Sequence, residues 1–172
     1  VPEPEQLHSS LSVEIDAPPE LVFRLARDPR RWPALLPHYQ RARVVDTAPD
    51  GGLVVEFVAR RSIVPVLGLG VPVAWRSRTW AEPDTLRLRF RHLGGATGGM
   101  DVTWRIEPGV AGPGSRVTIE HDFAPRFAPW AAFVDRLFTR AIAGRTLASF
   151  RALAESLAPD ASDAARATNR AV

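Results

Sequence analysis

The sequence predicts an α+β domain in which a curved, seven-stranded antiparallel sheet wraps around one long C-terminal helix, with two short helices after the first strand. Three observations predict it. Trp130, Phe133, Val134, Leu137, Phe138, Ala141, Ile142, Phe150, Leu153 and Leu157 recur at three- and four-residue steps, so a helix over roughly Ala128 to Ala158 must bury one broad stripe. The segments before it alternate apolar and polar residues, as half-buried strands do. The order is strand, two helices, six strands, helix, and a sheet cupped around one helix leaves internal space at one end. That space predicts a small-molecule pocket.

Taken in order, Leu11, Val13 and Ile15 read as a first strand ending at Asp16. Ala17-Pro18-Pro19-Glu20 starts a helix, because a first-turn proline gives up an N–H that has no helical partner. Leu21, Val22, Leu25 and Ala26 form its buried face. Pro29 opens a second short helix with Trp32, Leu35 and Leu36, and Pro37 ends it. Strands follow at about Tyr39 to Asp46, Leu53 to Arg60, Val71 to Trp80, Thr85 to His92, Thr97 to Glu107 and Ser115 to Phe123, separated by turn clusters of glycine, proline and aspartate. Residues 8–158 form one domain in this reading, with flexible tails at 1–7 and 159–172.

At 172 residues and 45% hydrophobic, the chain can bury a core without covalent staples. It contains no cysteine, which removes disulfides, thiolate metal sites and cysteine nucleophiles. All 22 basic residues are arginine, so lysine Schiff-base chemistry and a phosphate-loop lysine are also excluded. The four histidines are scattered without the short spacing of a metal site, and no metal or cofactor is expected. No apolar run is long enough to span a bilayer, and the proline-rich, acidic start does not read as a signal peptide, so a cytoplasmic location is expected.

Strand alternation assigns the faces. The concave face would carry Trp32, Tyr39, Phe57, Trp75, Phe90, Trp104, Ile119 and Phe123, with Ser77, Thr79 and His121 beside Tyr39 as a polar minority. Oily walls with a few orienting groups suit an apolar or aromatic ligand, and they equally suit a solid core. The convex face collects Arg76, Arg78, Arg87, Arg89, Arg91 and Arg105. It reads either as a dock for an acyl carrier protein or an anionic membrane surface, or as a solvated sheet face balanced by Glu56, Asp101, Glu107 and Glu120. Nucleic acid is not expected, since no aromatics interleave with these arginines.

The stretch Ser12-Val-Glu-Ile-Asp-Ala-Pro-Pro-Glu-Leu-Val-Phe23, continued by Asp28-Pro-Arg-Arg-Trp-Pro-Ala-Leu-Leu-Pro-His-Tyr39, resembles the opening of the polyketide cyclase/dehydrase branch of the START-related SRPBCC superfamily. Gly99-Met-Asp-Val-Thr-Trp104, Ile119-Glu-His-Asp-Phe123 and the last helix continue the likeness, which covers about residues 8 to 157. The resemblance implies a helix-grip fold. It also implies a cavity that either folds a poly-β-ketone chain for aldol closure and dehydration or carries a lipid or quinone without catalysis. It places Trp32, Tyr39, Trp75, Ser77, Trp104 and His121 at that cavity, and strand parity independently turns the last four inward. One departure is Thr79, which stands where cyclases of this type carry a cavity arginine. Another is the apolar connection Ile63-Val-Pro-Val-Leu-Gly-Leu69, read as a lid or as a tip that meets a membrane or partner.

His121 is the catalytic candidate, because an imidazole titrates near neutral pH, and Tyr39 is a candidate acid or oxyanion donor. Ser77 and Thr79 are placed to hold a carbonyl. His8, His38 and His92 are expected at rims or ends.

Overall fold

The computed structural model describes residues 7–64, 69–94, 97–110, 112–123 and 140–158. The elements are β1 (Leu7–Ile15), α1 (Pro19–Ala26), a 3-10 turn (Pro29–Arg31) running into α2 (Trp32–Leu35), β2 (Tyr39–Thr47), β3 (Leu53–Val64), β4 (Leu69–Glu82), β5 (Arg87–His92), β6 (Asp101–Pro108), β7 (Ser115–Phe123) and α3 (Arg140–Leu157). The seven strands form one antiparallel sheet in the order β1-β7-β6-β5-β4-β3-β2. This is the expected α+β grip. Breaks in register between Tyr39 and Arg41, Val44 and Asp46, and Ser62 and Val64 bend the β2–β3–β4 side, because an extra residue on one strand increases its local twist.

Proline at the first position admits α1, whose Val22, Phe23, Leu25 and Ala26 are buried. Asp28 caps the following turn by accepting from the Arg30 N–H at 3.1 Å. The β2–β3 turn closes through an Ala48 N–H to Gly52 O bond of 2.7 Å, and Gly51 takes a φ of 83°, a conformation that carries almost no penalty without a Cβ. The concave face packs on α1, α2 and α3, and the core lies between them.

Several boundaries move. β1 reaches back to Leu7 because its ladder with β7 continues to Phe123. Thr85 leaves β5 for a 3-10 turn ended by Leu86 in the left-handed region at φ 49°. Thr97 to Gly99 leave β6 for a turn that folds on Gly99 at φ 85°. β3 runs on to Val64 and β4 starts at Leu69, so the first two residues and the last of the apolar connection belong to strands; the rest of it, 65–68, lies outside the described residues. The first part of the predicted final helix, with Trp130, Phe133, Val134, Leu137 and Phe138, also lies outside them. Within α3 the buried positions are Ala143, Thr146, Leu147, Phe150 and Ala154. Leu157, expected in the stripe, is 54% exposed, because it falls in the last turn. No described helix is long and apolar enough to cross a membrane.

On the outer face the arginines meet carboxylates across the ladder. Arg41 and Arg76 both reach Glu56, Arg78 pairs with Asp50, Arg89 with Glu82, Arg91 with Asp101 and Arg105 with Glu120. Strand register makes this possible: Glu56 is opposite Arg76 and Asp101 opposite Arg91. Exposed pairs of this kind contribute about 0–1 kcal/mol each.

Candidate functional site

Trp32 organises the interior. Its indole N–H donates to the carbonyl of Ala26 at 2.9 Å, which ties the start of α2 to the end of α1. The ring then lies within 5.1 to 6.1 Å, centroid to centroid, of Tyr39, Phe57, Phe90, Trp104 and Phe150. Such pairs add about 0.5–1.5 kcal/mol each beyond burial. The cluster fills the middle of the grip and leaves a cavity of about 180 Å³ toward one end. An apolar cavity of about 150 Å³ holds benzene, so a one- or two-ring body fits.

Eight of the predicted residues line this space: Trp32, Tyr39, Phe57, Trp75, Phe90, Trp104, Ile119 and His121. They reach it from α2 and six different strands, which only the folded sheet can gather. Ser77, Thr79 and Phe123 point inward yet do not line it. Ser77 is short and fully buried, flanked by Trp75 on its own strand and by His92 opposite, whose rings stack at 6.1 Å and 16°. Thr79 bonds the Leu53 carbonyl at 3.3 Å and faces a separate cleft. Phe123 is core, 5% exposed.

Of the three histidines expected at rims or ends, His92 stands at the end of β5 and His38 is buried. His92 lines the cavity, donating or accepting with the Thr97 hydroxyl at 2.7 Å through Nδ1. His38 is 3% exposed, and its Nε2 lies 2.9 Å from the Thr146 hydroxyl. His8 is exposed as expected, paired with Asp122 on the outer face at 2.8 Å. Burial pushes both His38 and His92 down to about 4, aided at His38 by the charge of Arg145 and at His92 by neighbouring His121. Both imidazoles are therefore neutral at pH 7.

Thr146 is the polar residue of the cavity wall that periodicity missed. Its hydroxyl gives its proton to the Ile142 carbonyl at 2.8 Å, so it can only accept from the Nε2–H of His38 and from the phenol of Tyr39. Burial raises the Tyr39 phenol well above its ordinary range, and the bond to Thr146 only partly offsets this. Tyr39 is thus a protonated, oriented hydroxyl in the cavity wall. A threonine on a buried helical face between Ala143 and Leu147 was the available sequence signal; the junction Pro37-His38-Tyr39 offered none.

The model of the family described as polyketide cyclase/dehydrase and lipid transport matches residues 6–158. Among solved structures, the ZhuI aromatase/cyclase of Streptomyces sp. R1128 is similar, with 17% identity, a TM-score of 0.71, and 88% of this chain and 94% of that chain covered. The di-domain aromatase/cyclase BexL of the BE-7585A biosynthetic pathway shares 21% identity at a TM-score of 0.65 over 84% of this chain, which spans 45% of that protein. A START superfamily protein from Mycobacterium smegmatis shares 16% identity at a TM-score of 0.57, over 85% of this chain and 98% of that one. None of the curated protein sequences matches.

Proposed function

This chain belongs to the polyketide cyclase/dehydrase and lipid transport family, and from that premise we infer that it takes a hydrophobic, aromatic or polyketide-like small molecule into the cavity and closes a ring on it by aldol addition and dehydration. The observation that carries this reading is the aromatic-walled cavity with His121 and Tyr39 in its lining. His121 removes a proton from a carbon flanked by two carbonyls. The resulting carbanion attacks a further carbonyl of the same chain, and the new alkoxide takes a proton from the Tyr39 hydroxyl, which burial keeps protonated. Loss of that hydroxyl as water takes up the proton held on His121, while the Tyr39 phenolate removes the second proton from the attacking carbon, so both groups return to their starting states. The stacked rings of Trp32, Trp104, Phe57 and Trp75 restrict which fold of the chain can react.

A second reading, a lipid or quinone carrier, is favoured by one observation. Thr79 stands where a cavity arginine was expected, and it bonds backbone away from the cavity. Docking of an acyl carrier protein or an anionic membrane on the outer arginines draws less support, because carboxylates on neighbouring strands offset them.

The deciding experiment offers the purified protein a synthetic linear tetraketone and follows aromatic absorbance. Tyr39→Phe and His121→Ala should each lower the rate 10²–10⁴-fold, the range of general acid–base effects. No acceleration by the wild type, together with a quinone or fatty acid co-purifying in native mass spectrometry, would establish the carrier instead.

A further inference from the structure

Among the described residues that line the cavity there is no carboxylate and no arginine. The basic groups there are two imidazoles, His92 at the end of β5, level with Met100 beside β6, and His121 on β7, opposite Val102 of β6. β3, β4, β6, α2 and α3 contribute no titratable side chain to that lining, and β2 contributes Tyr39 alone. We propose that this pair is an anion site made on demand: the cavity selects an apolar ligand that carries a carboxylate, whose charge is met by one proton shared between His92 and His121. The proposal rests on the cavity being a hydrophobic ligand site and names the chemical class that site prefers.

Three features suit His92 to gaining and losing a proton in place. Its Nδ1 bonds the Thr97 hydroxyl at 2.7 Å, and a hydroxyl can accept from Nδ1–H as readily as it donates to bare Nδ1, so protonation strands no buried group. Its ring lies nearly parallel to the Trp75 indole, 16° between planes and 6.1 Å between centroids, where an imidazolium gains cation–π attraction. Its neighbour His121 disfavours a second charge, so the pair takes up one proton instead of two. Empty, His92 stays neutral at pH 7, and its side of the apolar chamber need not hold an unpaired cation. With a carboxylate bound, Coulomb attraction in a water-poor space raises the imidazole, and one proton is taken from solvent. Affinity for the anion should then rise as pH falls from 8 toward 6, while a neutral isostere should bind independently of pH.

The test uses 2-naphthoic acid and 2-naphthamide, with quenching of tryptophan fluorescence as the binding readout at pH 8, 7 and 6. The acid should bind at least tenfold tighter at pH 6 than at pH 8, and calorimetry in buffers of different ionisation enthalpy should show uptake approaching one proton. The amide should show neither. His92→Gln and His121→Gln should each cut the acid-to-amide affinity ratio at pH 6 at least fivefold; because the ratio is internal to each variant, a general folding defect does not imitate the effect. In the intact protein, the imidazole Hε1 resonance of His92 should titrate near 4 when empty and above 7 with naphthoate bound. If both probes bind with the same pH profile, the imidazole-pair proposal is overturned while the hydrophobic site stands. If neither binds, the hydrophobic-ligand reading falls, and this proposal with it.

Discussion

Phe90 has a space on either side of it, and the two spaces differ in kind. Toward one end lies the aromatic cavity of about 180 Å³, with imidazole, phenol and threonine hydroxyl as its polar groups. Toward the other lies a cleft of about 320 Å³, bordered by Arg27, Asp50 and the backbone of Gly51 and Gly52. The second is larger, yet it is the poorer ligand site, because its edges are charged and solvated. There Asp50 accepts from the Trp80 indole at 3.1 Å and pairs with Arg78, whose guanidinium sits 4.7 Å over the Trp80 ring. That cluster locks a hairpin turn. Volume alone therefore does not identify a site; what matters is an apolar, aromatic wall with a few neutral polar groups whose protonation state burial controls.

The sharpest way to break this contrast is to remove Trp32, which lines the cavity and packs on Tyr39, Trp104 and the Phe90 ring that borders both spaces. Trp32→Ala should cost about 3–5 kcal/mol, seen as a lower urea midpoint. Survival of the variant at wild-type stability would show that the aromatic cluster is not the centre of the core.

Acid should separate the two ends next. His38 and His92 are held near 4 in the folded chain against 6.5 when unfolded, so the unfolded state binds more protons between those values. Their contribution is present in full above pH 6.5 and is lost as pH falls toward 4, by no more than about 3 kcal/mol for each. Asp50 is depressed from 3.8 by Arg78 and Trp80, so the hairpin end keeps its contribution above that value and loses it only at lower pH. Urea midpoints at pH 7, 5.5 and 4 should therefore fall in the wild type and fall less in His38→Gln; Asp50→Asn should leave that interval unchanged.

The smallest effect is also the most local. Ala143→Phe, which puts a ring into the cavity wall, should weaken binding of a naphthyl probe at least tenfold, whereas Ala81→Phe in the other cleft should change it less than twofold. Equal effects would mean that the probe does not discriminate between the spaces.

The fold and most of the aromatic wall were legible because they depend on short-range rules. Alternation along β5 and β6 put Phe90 and Trp104 inside, and prolines marked both ends of α2. Polar placement was less legible. His121 was found by parity, but His92 was assigned to a strand end, although the β5–β6 turn folds back there and makes that end part of the cavity wall. Ser77 and Thr79 have the right parity and the wrong neighbours, since parity says which face a residue takes and not what covers it.

By itself the sequence determined the element order, the sheet's apolar and charged faces and the aromatic content of its interior, because period and turn chemistry act over a few residues. Only the tertiary structure decided that the interior is hollow on one side of Trp32, that His92 joins His121 there, and that Thr146 holds Tyr39 and His38. Those relations join residues up to about a hundred positions apart, such as His38 and Thr146. They are set by how large rings pack against one another across a bent sheet, a property of the assembled volume and not of any local window.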